Sequence, residues 1–113
     1  MLLFITSVLL AIGAAMDGKS TVDFLTKGKG AFVEGDAIMV FLYGTNTPSP
    51  TRVWVTGALG IGFEIGVAFL VSYFWHPAMW AFATQQFGQA IFHARDWYTN
   101  EVSLASYLNS TKK

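Results

Sequence analysis

VWVTGALGIGFEIGVAFLVSYFW, residues 53–75, decides the fold. Its 23 residues carry one formal charge, Glu64. A helix of about 20 apolar residues crosses the hydrocarbon core of a bilayer, so this stretch is long enough to span with some tilt. Trp54, Tyr73 and Trp75 stand at its two ends, where interfacial aromatics anchor a span.

A second apolar stretch follows at once. After His76, Pro77 suits the first turn of a helix, where its missing N–H is not needed. That helix runs through MWAFATQQFGQAIFHA to about residue 97, and the polar tail after Thr99 reads as a short exposed helix that frays. The connection is tight, so the two segments read as an antiparallel helical hairpin. Upstream, LLFITSVLLAIGAAM at residues 2–16 is short for a span. It extends as a helix through Asp17, Ser20 and Leu25, its last turns reaching the interface. A signal peptide is the rival reading, because Gly13, Ala14 and Ala15 offer a cleavage site. The absence of Lys or Arg before the apolar run speaks against it.

Residues 1–16, 53–75 and 77–94 hold only Glu64 as formal charge. Charged residues are 12% of the chain, against roughly 25% in soluble domains. A 113-residue chain that hid three such segments from water would keep little polar surface. The expectation is one all-α, polytopic membrane domain over residues 1–113, with three transmembrane helices at about 2–25, 53–75 and 77–97. Between the first two, residues 37–43 are too short to span. They read as an interfacial or re-entrant piece, with a fourth span as runner-up. TNTPSPT, at 45–51, reads as linker.

Orientation follows from the basic residues. Lys19, Lys27, Lys29 and Arg52 lie in the first loop, and Arg95, Lys112 and Lys113 follow the third span. All fall on one side of a three-span layout, which the positive-inside rule makes cytoplasmic. The N-terminus is then outside and the C-terminus inside, most simply in a prokaryotic cytoplasmic membrane. Net charge is zero, with no basic stripe to mark nucleic-acid binding. The chain has no cysteine, which removes disulfides, thiolate metal sites and cysteine nucleophiles.

Glu64 is the sharpest single signal, because a mid-span carboxylate is costly unless protonated, paired or in a polar cavity. Gly60, Glu64, Ala68 and Ser72 recur every four residues and share a face. Ala58, Gly62 and Gly66 form a nearly opposite face, roughly 200° away, of the kind that lets helices approach closely. Two such faces suit a central helix with a neighbour on each side. On the third span Gln85, Gln89, His93 and Asp96 form a stripe, with Gln86 beside it. Glu64 lies 12 residues before His76 and Gln89 lies 13 after. These two are expected to meet near mid-membrane, with His93 a turn below. Helix-to-helix hydrogen bonding is the plain reading of this cluster; a proton or ion pathway through Glu64, Gln89 and His93 is the alternative.

A second cluster is expected at the cytoplasmic boundary: Asp17, Thr21, Glu34, Asp36, Arg52, Arg95 and Asp96. Carboxylates with one histidine suit a metal, but the two arginines neutralise them more simply. An Asp17, Glu34 or Asp36 pair with Arg52 or Arg95 is the expectation. His76 and His93 invite a haem or chlorin. They stand at opposite ends of the third span and cannot hold one such group within a single chain.

MDGKSTVDFLTKGKGAFVEGDAIMVFLYG, residues 16–44, resembles a family of small bacterial and archaeal membrane proteins classed as a domain of unknown function. Its pattern is roughly Leu-Asp-x-x-Ser/Thr-Thr, a Leu, a Gly, then Glu-x-Asn-Pro. Asp17, Ser20, Thr21, Leu25, Gly28 and Glu34 match; Asp36 and Ala37 stand where the pattern has Asn and Pro. The likeness covers residues 10–45 and implies a three-span layout, with no activity attached.

No Ser-His-Asp order, phosphate loop or zinc-protease motif is present. The functional expectation is therefore a small, non-catalytic integral membrane subunit. It packs against lipid and against other membrane subunits or itself, with no cofactor assigned. A haem- or chlorin-binding subunit, or a proton pathway, is the alternative.

Overall fold

The computed structural model describes residues 1–28 and 37–111. Four helices follow in order: α1 Leu2–Lys27, α2 Ala37–Tyr43, α3 Pro50–Phe74 and α4 Ala78–Thr111. Among the described residues there is no strand. The all-α expectation is met. α1 and α3 are long and apolar enough to cross a membrane. α4 is longer but more polar, because Gln85, Gln86, Gln89, His93 and Arg95 interrupt its apolar run.

Local chemistry sets the boundaries. Ser49 caps α3 by accepting a hydrogen bond from the Arg52 N–H at 3.2 Å, with Pro50 in the first turn. The helix therefore starts inside the stretch read as linker, three residues before Val53. Trp75 leaves α3 in extended conformation. Ala78 and Met79 then bond back to the Trp75 and His76 carbonyls at 3.0 Å and close the turn. α2 ends on Gly44, whose φ of +76° is the left-handed cap conformation that glycine takes without strain. With seven residues, α2 rises only about 10 Å and does not make a fourth span. α4 does not stop near residue 97. It continues through Thr111 as one helix, and Leu104 on that extension is buried.

The core is the seam between α1 and α4. Thr6 bonds Gln86, Gly13 lies against His93, and Ser20 bonds Asn100. Each pair is 80 residues apart, so the two helices run parallel in one register. On each helix these positions recur every seven residues, the repeat of a left-handed helix pair. Leu10 and Gln86, both 0% exposed, lie on this seam. Gly13 marks the close approach. A Cβ there would sit 3.2 Å from the Ala90 carbonyl oxygen and 3.3 Å from the His93 Cβ.

α3 runs back alongside this pair and is held less closely. Trp54 lies over Gly18 of α1, its ring 3.2 Å from where a Cβ would stand. Val53, Ala68 and Ser72 are its buried residues. The face carrying Ala68 and Ser72 is thus turned inward. The opposite face, Ala58, Gly62 and Gly66, is exposed, and a Cβ on either glycine would meet nothing within 4 Å. The expected neighbour on each side of this helix is present on one side only, among the described residues.

Candidate functional site

The parallel register of α1 and α4 brings Asp17 and His93 to the same level. His93 Nδ1–H donates to Asp17 Oδ2 at 2.7 Å, a charge-assisted bond of the stronger class. The Ser20 hydroxyl donates to the Asp17 backbone carbonyl at 2.9 Å. Asn100 Nδ2 donates in turn to Ser20 Oγ at 3.2 Å. Asp17 is therefore held at its side chain by His93 and, through Ser20, at its backbone by Asn100 two turns further along α4. Asp17 is absent from any ion pair with Arg52 or Arg95. This corrects the expected partner, and the reason is geometric. Arg52 Nη1 donates to the Tyr43 carbonyl at 2.6 Å and ties α2 to α3, while Arg95 is exposed on α4. Glu34 and Asp36, the other expected partners, lie outside the described residues.

All four helices wall a cleft of about 640 Å³ beside this pair. α1 contributes Asp17 and Thr21, α2 Leu42 and Tyr43, α3 Gly60 and Glu64, and α4 His93 and Asp96. With Nδ1 bonded to Asp17, Nε2 is the ring nitrogen of His93 left for another partner. His93 is thus the histidine suited to a haem or chlorin. His76 is exposed in the α3–α4 turn, 17 residues and about 26 Å of helix away.

Glu64 lines the cleft half-buried, and its Oε1 is enclosed with no hydrogen-bond partner. Gln89, its expected partner, also has an enclosed Oε1 with none. The two do not bond, because α4 packs chiefly on α1 and turns its polar seam there. Of the expected stripe on α4, His93 and Asp96 reach the cleft and Gln85 is exposed. Gln86 holds the buried position instead, where its Oε1 accepts from Thr6 and Ser7 hydroxyls at 2.7 and 3.1 Å. The small residues Ala58 and Gly62 line a separate apolar groove of about 370 Å³ with Ala11, Ala14 and Ala15 of α1.

The residues that carry the family resemblance divide in the same way. Asp17, Ser20, Thr21 and Leu25 lie on α1, with Gly28 just beyond it, and Asp17 and Ser20 are built into the seam. Comparison with protein-family models, with curated proteins and with solved structures gives no match for this chain.

Proposed function

We propose that the chain is a small, non-catalytic, three-span subunit of a membrane complex, with α1 and α4 as its rigid pair and α3 as its docking helix. One observation carries this reading: Ala58, Gly62 and Gly66 of α3 are exposed, and a Cβ on either glycine would meet nothing within 4 Å among the described residues. Small residues at four-residue spacing are the usual means by which helices associate in lipid. Beside that face, the groove lined by Ala11, Ala14 and Ala15 continues the same small-residue surface onto α1.

The surface supports a lipid setting. Leu59, Phe63 and Phe74 are each 70–78% exposed, an apolar surface on a scale that soluble monomers rarely show. α4 completes a third span by facing its glutamine and histidine to α1, which leaves Trp80, Phe87, Ile91 and Phe92 outward. Lys19 and Lys27 on the last turns of α1, Arg52 on the first turn of α3 and Arg95 on α4 lie toward one end. That grouping supports a cytoplasmic C-terminus.

Cross-linking tests the docking face, since the native chain has no cysteine. Ala58→Cys and Gly62→Cys, oxidised in native membranes, are expected to give a discrete adduct. Its mass tells a second copy from a different subunit. Leu59→Cys and Phe63→Cys, on the neighbouring ridge, are expected to give none. Equal adducts at all four positions, or none at any, contradict the reading.

A further inference from the structure

Glu64 is the ionisable residue of α3 that lines the cleft. Its Oε1 is enclosed without a donor among the described residues, a state unfavourable for an ionised carboxylate. Arg52, on the same helix, is 12 residues away, about 18 Å along the axis. Among the described residues no donor reaches that oxygen, and the open approach to Glu64 is the cleft it lines.

What enters is bounded by the rest of the wall. Asp17 already holds His93 Nδ1, and Asp96 adds a further carboxylate to the wall. An anion would meet carboxylates. A neutral ligand would leave Glu64 as it is. A metal ion prefers four or more donors, and no group of three or more His, Cys, Asp or Glu is placed to hold one among the described residues. Phe24, Met39, Leu42 and Ile61 give the wall an apolar side, beside the polar Thr21, Thr56 and Asn100. At about 640 Å³ the cleft lies within the usual range for small organic ligands, roughly 300–1,000 Å³.

We infer that the cleft between the Asp17–His93 pair and Glu64 binds an amphiphilic organic cation, a protonated amine on an apolar body. The ammonium donates to the Glu64 carboxylate, and the body lies against Phe24, Leu42 and Ile61. This site stands apart from the outer face of α3 and does not rest on the subunit reading.

The test uses the purified chain in zwitterionic lipid nanodiscs, with empty nanodiscs as the partition control. The probes are phenethylamine, phenethyl alcohol and hydrocinnamate, which share one body and differ in charge. Phenethylamine is expected to bind saturably and raise the unfolding temperature; the alcohol and the acid are not. Glu64→Gln is expected to weaken the amine about 10- to 100-fold, the factor for a charge-assisted hydrogen bond. The ligand-free unfolding temperature of that variant is expected at or above the native one, because the amide places no charge in the enclosed position. Equal binding of amine and alcohol overturns the proposal, because it marks a protonated Glu64 or simple partitioning. So does native affinity in Glu64→Gln, or displacement of the amine by micromolar Zn²⁺. If Glu64→Gln does not fold, the three probes on the native chain decide alone.

Discussion

Gly13→Leu is expected to open the α1–α4 seam and to be the most damaging single change in the chain. The position has no room: the Ala90 carbonyl oxygen and the His93 Cβ would lie 3.2 and 3.3 Å from the first added carbon. Both belong to the helix backbone or its root, so neither can swing aside. A leucine forces the helices apart, at about 1–3 kcal/mol for overpacking. It also separates Asp17 from His93, one turn further along. Gly13→Ala is the control. It gains about 1 kcal/mol of helix propensity against a contact only a few tenths of an ångström too tight, and is expected to be near neutral. Thermal unfolding in mild detergent measures both. A Gly13→Leu protein as stable as the native one would mean that α1 and α4 do not meet there.

The second large effect is expected at the Asp17–His93 pair. Asp17→Leu leaves the His93 Nδ1–H half-buried without an acceptor, at about 1.5–3 kcal/mol for a bond to a charged group. Asp17→Asn keeps an oxygen at the same place and is expected to lose about half of that. His93→Leu and the double variant complete a cycle. Residues in direct contact are expected to be non-additive by at least about 0.5 kcal/mol. Denaturant unfolding of the four proteins measures the coupling, and strict additivity would show that the 2.7 Å bond contributes nothing.

The helices themselves were legible because their signals are local. The apolar run of α3, its aromatic ends and the Pro77 turn all sit within a few residues of what they determine. The extension of α1 past Met16 was also readable, since Asp17, Ser20 and Leu25 keep one helix going. The start of α3 was misplaced although its signal was present: Ser49-Pro50 is a cap followed by a first-turn proline, and it was read as linker. The polar tail after Thr99 reads as a separate short helix, whereas it continues α4 through Thr111, because polarity changes what surrounds a helix and not whether it continues.

The site was legible in its parts but not in its pairing. Glu64, Asp17 and His93 stood out as single residues. The tight turn suggested that α3 and α4 stay together, which put Glu64 opposite Gln89. A turn fixes only the nearest residues, and farther along α4 found a better partner in α1. That choice is written in the sequence at seven-residue spacing: Thr6, Gly13 and Ser20 on one helix, Gln86, His93 and Asn100 on the other. No short motif shows it, because the pairing spans 80 residues.

The placement of the three long helices across a membrane is the claim on which the rest depends, and single-cysteine labelling tests it most directly. Pro77→Cys sits in the α3–α4 turn and Ser110→Cys in the last turn of α4. In intact cells, a membrane-impermeant maleimide is expected to label Pro77→Cys at once. Ser110→Cys is expected to stay unlabelled until the membrane is opened. Labelling of Ser110→Cys from outside, or protection of Pro77→Cys, would contradict the account.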